Sequence, residues 1–188
     1  MKRRLEGISV LSVVSPEEFN DDEYALPRRI LEEEGALVRT ASTRPGQAKG
    51  MFGSTVEPEL ILDQVDPGQF QAMTIAGGSG SPRHLWNNAP LVELVRRFDQ
   101  AGKVVAAICL SPVVLAEAGL LKGLPATVYR SPKAIERLVS LGAVYQDAEV
   151  VRNGRILTGR DPQAAKAYGE ALAQTIWEEV LGSVSQRG

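Results

Sequence analysis

The chain has 188 residues, 44% of them hydrophobic and 23% charged, which excludes a disordered polymer. At that length one domain buries roughly 70% of the surface its unfolded chain exposes, so a core forms without disulfides or metals. A net charge of -2, from 21 Lys and Arg against 23 Asp and Glu, gives no overall footprint for nucleic acid, and no apolar run approaches the roughly 20 residues that span a membrane.

The basic start Lys2-Arg3-Arg4 precedes the apolar stretch Ile8 to Val14, as in a secretory leader, but the stretch is short. No small-residue cleavage site follows before Glu17, Glu18, Asp21 and Asp22, so it reads as the buried first strand of a cytoplasmic protein. Glu23 to Glu34 has helical spacing, with Leu26, Ile30 and Leu31 on one side, Pro27 in its first turn and Gly35 as its stop. Ala36 to Ala41 is a second strand. Residues 43–66 are irregular, with a short hairpin around Thr55-Val56 and then the apolar Leu60-Ile61-Leu62.

Phe70 to Ala76 is another strand, ending in Gly77-Gly78-Ser79-Gly80. Leu91, Leu94, Val95 and Phe98 predict a helix that Ala101-Gly102 closes, and Val104 to Ile108 is the most strongly apolar strand. Just past Cys109, Ser111 to Ala118 reads as a helix with Pro112 in its first turn and Gly119 beyond its end. Ser131-Pro132 opens a helix carrying Ile135, Leu138 and Val139. Val150 to Leu157 reads as a hairpin with Asn153-Gly154 at the turn. Asp161-Pro162 caps a long helix to about Val180, and Ser183 to Gly188 reads as a frayed tail.

Strands alternate with helices throughout, and no repeat or linker divides the chain. The expectation is one α/β domain over 1–188, with its ordered core over about 7–180: a doubly wound, mainly parallel, flavodoxin-like sheet flanked by helices. Ligands of such sheets sit at the carboxyl ends of the strands, where Cys109 and Gly77-Gly78 both fall.

With a single Cys and a single His, neither an intramolecular disulfide nor a four-ligand zinc site of Cys and His can form. Ala107-Ile108-Cys109-Leu110-Ser111 has small residues two before and two after its centre, as a nucleophile elbow requires. That turn lifts the central side chain to a helix start, where a thiol is expected to titrate below its free value of about 8.5. The N–H groups of Leu110 and of the Gly77-Gly78 loop can converge there on an oxyanion. The alternative is a small core hydrophobe, since free cysteines are among the most buried residues.

The order of elements, the Gly-Gly turn and Val105-Ala106-Ala107-Ile108-Cys109 resemble the PfpI/ThiJ superfamily, whose fold is that of class I glutamine amidotransferase domains. Phe19 to Glu23 with Pro27 and Leu31 to Gly35, Gly50 and Gly53, Leu115 to Gly123, and Asp147 to Arg160 extend the likeness over nearly the whole chain and toward the PfpI branch. The resemblance implies that Cys109 is the nucleophile, that Glu23 contacts its sulfur, and that the amides of Gly78 and Leu110 hold the oxyanion. An ionised Glu23 would raise the thiol pKa, so a protonated Glu23 is expected at neutral pH; the plain alternative is an exposed first-turn glutamate.

Two departures weigh against peptide hydrolysis. Family proteases place His after the Cys, where this chain has Leu110, and an acid after Gly-Gly, where Ser79 to Arg83 offers none. A missing general base costs about 10²–10⁴-fold. Tyr129 stands where relatives carry His or Tyr near the sulfur; it is either a hydrogen-bond donor or an aromatic at the edge of the core. His84 is either a base reaching Cys109 of its own or a partner chain, or an exposed loop histidine.

The implied activity is cofactor-free and metal-free: a cysteine hydrolase or a glyoxalase/deglycase-like enzyme acting on a small carbonyl compound. A redox-responsive protein whose Cys109 oxidises to sulfinate is the alternative, and a chain acting only by association is a third. The resemblance further implies a homodimer or a higher homo-oligomer.

Overall fold

Along the central strands, alternate side chains face opposite sides and both sets are apolar, so the sheet must be covered on both faces. A computed structural model describes residues 3–182 and shows that arrangement; Lys2 and the tail from 183 lie outside the described residues. In chain order the first half comprises β1 (Ser9–Val13), β2 (Glu17–Phe19), α1 (Asp21–Glu33), β3 (Leu37–Ser42), β4 (Ala48–Gly50), β5 (Thr55–Val56), β6 (Leu60–Ile61) and β7 (Ala72–Ile75). There follow α2 (Ser81–His84), α3 (Ala89–Gln100), β8 (Val104–Ile108), α4 (Pro112–Glu117), β9 (Pro125–Ala126) and α5 (Pro132–Ser140). The chain finishes with β10 (Val144–Tyr145), β11 (Val150–Asn153), β12 (Ile156–Gly159) and α6 (Ala165–Ile176).

The main sheet has seven strands in the order β11-β12-β8-β7-β1-β3-β6. Every pair is parallel except the β11–β12 hairpin at the edge. Val105 and Ala107 of β8, with Leu11, Met73 and Ile75, pack against Leu94, Phe98, Leu115 and Leu138 of α3, α4 and α5. Val104, Ala106 and Ile108, with Val10 and Ala72, pack on the other face against Leu31 of α1 and Tyr168, Leu172 and Ile176 of α6. β2, β4 and β5 form a separate three-stranded sheet, and β9 pairs with β10. Among the described residues no helix is long and apolar enough to cross a membrane.

Three local expectations are corrected. α1 starts at Asp21 because Asn20 caps it, its side chain accepting the Glu23 N–H at 3.1 Å, which puts Pro27 in the second turn. Asn153 pairs with Ile156 in the ladder, so the hairpin loop is Gly154-Arg155, with Gly154 at φ +56. The last helix has the expected Asp161 cap and runs without a gap, but its winding changes along it: a 3-10 turn at Pro162–Ala164, α6 to Ile176, and a π-helix at Trp177–Leu181.

Candidate active site

β8 leads without a spacer into Cys109, whose φ of +66 is a conformation that side-chain-bearing residues rarely adopt. Its main chain is pinned from two sides. The Cys109 N–H donates to the Gly159 carbonyl at 2.9 Å, and its carbonyl accepts the Tyr129 N–H at 2.8 Å. The sharp turn is thus held by the neighbouring strand and by the segment before α5, as an elbow held by its surroundings must be. Cys109 is 4% exposed.

The opposite wall comes from the start of α1. Glu23 is 2% exposed and lies in the first turn that Asn20 caps, while the Asn20 N–H donates to the Gly77 carbonyl at 2.9 Å. This ties the helix start to the turn after β7. Glu23 Oε2 accepts the Gly77 N–H at 2.8 Å. Oε1 is buried without a hydrogen bond of ordinary geometry, and the Cys109 thiol is the side chain that interacts with this carboxyl through a looser contact. A Cβ on Gly77 would lie 2.5 Å from Glu23 Oε2 and 2.6 Å from Cys109 Cβ, so only glycine lets the three meet.

Burial pushes the Glu23 carboxyl from an ordinary 4.5 up to about 8, against the pull of the Cys109 thiol and the Gly77 N–H; the charges of Asp161 and Asp22 push it further the same way. Glu23 is therefore mainly protonated at neutral pH. The thiol is pushed up as well, first by burial and then by the Glu23 carboxylate, while the N–H groups of Gly78 and Leu110 pull it down. This corrects the expected low thiol value. α4 has six residues, so its field at the sulfur is weak, and desolvation together with a carboxylate outweighs it. The two groups titrate as a coupled pair: the carboxyl loses its proton first, near 8, and the thiol, pushed up by burial and by that carboxylate, keeps the remaining one.

The structure thus brings Cys109, Glu23, Gly78 and Leu110 together. Tyr129 reaches the elbow through its main chain, and its side chain is 42% exposed in the wall of a hollow of about 400 Å³ that Arg130, Asp161, Pro162 and Gln163 also line. His84 sits on α2 with Nε2 4.0 Å from Glu17 Oε2 and without a hydrogen bond, turned to Glu17. The sequence reading did not single out Ser111, Ser81, Trp86 or Tyr168. Tyr168 is fully buried, bonds Thr74 Oγ1 at 2.7 Å and feels the charge of Glu23. The one signal for Ser111 was its smallness two residues after Cys109.

Comparison with known proteins agrees with this architecture. Residues 9–175 match the DJ-1/PfpI family. An uncharacterised protein of Methanocaldococcus jannaschii is 42% identical over 93% of this chain and 85% of its own length. Deglycase PfpI of Pyrococcus furiosus is 36% identical over 79% of this chain and 88% of its own. The crystal structure of a ThiJ/PfpI domain protein from Brachyspira murdochii superimposes with a TM-score of 0.85 at 27% identity, covering 89% of this chain and 95% of that one. A glycine pair after β7, an elbow cysteine after β8 and a first-turn glutamate on α1 thus stand within a fold and a sequence match that agree: the chain belongs to the DJ-1/PfpI family.

Proposed function

We propose that the protein is a cysteine-dependent enzyme for small carbonyl compounds, of the deglycase or glyoxalase kind, working without a cofactor. The observation that carries this reading is the buried Cys109 elbow facing the buried Glu23 carboxyl, with the Gly77-Gly78 turn closed against both. The relative named a deglycase supports the reaction class.

On a 1,2-dicarbonyl, the Cys109 sulfur adds to the aldehyde carbon. From the form of the pair in which Glu23 is ionised and Cys109 keeps its proton, that proton passes by way of Glu23 to the new alkoxide oxygen, giving a hemithioacetal with no leaving group and leaving Glu23 ionised. The N–H groups of Gly78 and Leu110 take up the charge that develops on that oxygen. The ionised Glu23 then moves a proton from the carbon bearing sulfur to the adjacent carbonyl carbon, while the hydroxyl proton passes to the former carbonyl oxygen, which yields a thioester of a 2-hydroxy acid. Water releases the acid and restores the thiol. A carboxyl near 8 is matched to accepting and returning protons around neutral pH. Leu110 in place of histidine, and His84 facing Glu17, speak against peptide hydrolysis.

Incubation with methylglyoxal is expected to produce lactate, and Cys109→Ser is expected to lower turnover by about 10³-fold or more. Equal turnover by the variant would overturn the reading. A gain of two oxygens at Cys109 under mild peroxide, in a protein that turns over no methylglyoxal, would replace it with oxidation sensing.

A further inference from the structure

Two separate arms carry the N–H groups that meet the sulfur: the turn after β7 carries Gly78, and the elbow carries Leu110. The β7–β8 ladder ends at Ile75 and Ala107, short of both arms, and bridges beyond it tie them together. One bridge is Ser111, next to Leu110. It is fully buried and donates its hydroxyl to the Ala76 carbonyl at 2.7 Å, two residues before Gly78. With its only proton used there, Ser111 Oγ accepts from Ser81 Oγ at 3.2 Å. The Ser81 N–H in turn donates to the Gly78 carbonyl at 3.0 Å, so one hydroxyl pair joins both arms to the start of α2.

A second bridge comes from just past α2. Trp86 Nε1 donates to the Leu110 carbonyl at 2.7 Å. The helical bonding of α4 starts one residue later, with the Val114 N–H donating to the Ser111 carbonyl. Trp86 is itself held firmly: Lys133 Nζ lies 5.8 Å over its ring. The next residue, Asn87, is fixed at φ +54, its N–H donating to Glu117 Oε2 at 2.9 Å and its side-chain oxygen accepting from Arg137 at 2.7 Å. Glu117 is nearly buried and paired with Arg137, which makes this a rigid mount.

We propose that Ser111 and Trp86 are positioning residues, which hold the Ala76 and Leu110 carbonyls so that the Gly78 and Leu110 N–H groups point at the reacting sulfur. The proposal rests on the reading of Cys109 as the reacting group. A hydrogen bond weakens steeply once its angle falls below about 120°, so a modest rotation at Leu110 removes one of the two donors.

The test is the rate of Cys109 alkylation by iodoacetamide at pH values above about 8, read beside methylglyoxal turnover, in Ser111→Ala and Trp86→Phe. Each variant is expected to alkylate about three- to tenfold more slowly, because the N–H groups that favour thiolate are misaimed. Each is expected to lower kcat about tenfold with KM changed less than about twofold, as for donors that matter most in the transition state. Ser111→Thr keeps the hydroxyl and is expected to recover most of both rates. Alkylation of both alanine and phenylalanine variants at the wild-type rate overturns the proposal, whatever turnover does. A wild-type protein that alkylates but turns over no methylglyoxal refutes the substrate reading alone, and the alkylation comparison still decides the positioning roles. Should Ser111→Ala fail to fold, Trp86→Phe, which loses one N–H and keeps a ring, decides the matter.

Discussion

Gly78→Ala is expected to lower stability by about 4 kcal/mol or more and to abolish Cys109-dependent turnover. Gly78 has φ +116, where a residue with a Cβ is strained. That Cβ would also lie 2.3 Å from the Glu18 carbonyl oxygen, 2.4 Å from the Asn20 nitrogen and 2.7 Å from the Phe19 carbonyl carbon. All three are main-chain atoms of β2 and of the α1 cap that follows it, so relief requires moving the segment that seats Glu23. Glu18 already has φ +55, which leaves little freedom there. Gly53→Ala is the control: its φ is +98, but its Cβ would meet nothing within 4 Å, so only the strain of roughly 1–3 kcal/mol applies. Urea denaturation of the two variants measures the difference. Equal midpoints would show that the turn after β7 does not pack against the start of α1 as described.

Glu23→Gln is expected to be more stable than the wild type above pH 8 and equal to it in acid. The sign follows from proton counts. Between 4.5 and about 8 the folded carboxyl holds a proton that the unfolded chain has lost, so wild-type stability falls as pH rises through that window. Carried across the whole window, the loss is on the order of 5 kcal/mol for a carboxyl this deeply buried. Glutamine does not titrate, and its side-chain oxygen can still accept the Gly77 N–H. The same variant loses the proton carrier, so turnover is expected to fall by about 10²–10⁴-fold. Denaturation midpoints on both sides of the window measure the stability term. A wild type that loses no more stability than the variant on going alkaline would mean that Glu23 is not held neutral.

Much of this frame was legible from residue order. The unbroken apolar run Val104 to Ile108, followed by Cys109, Leu110 and Pro112, leaves few alternatives to a buried strand, a sharp turn and a helix. The start of α1 lies two residues earlier than the spacing of Leu26, Ile30 and Leu31 places it, because the cap that decides the matter is Asn20. α2 went unread because four residues carry too little periodicity, although Ser81-Pro82 is a helix-opening pair. The thiol was expected to be acidic because helix position and small neighbours are visible in sequence, whereas desolvation and the Glu23 charge exist only once α1 folds over β8. The contact of Trp86 with the Leu110 carbonyl, 24 residues away, has no local signature at all.

The most direct measurement of the central claim, a buried Glu23 carboxyl held neutral against the Cys109 thiol, is the carbon-13 NMR titration of Glu23 in the wild type and in Cys109→Ala. The account predicts a wild-type midpoint near 8 and a higher one in the variant, because the thiol interaction that pulls the carboxyl down is gone while burial remains. A midpoint near 4.5 in both proteins would contradict it.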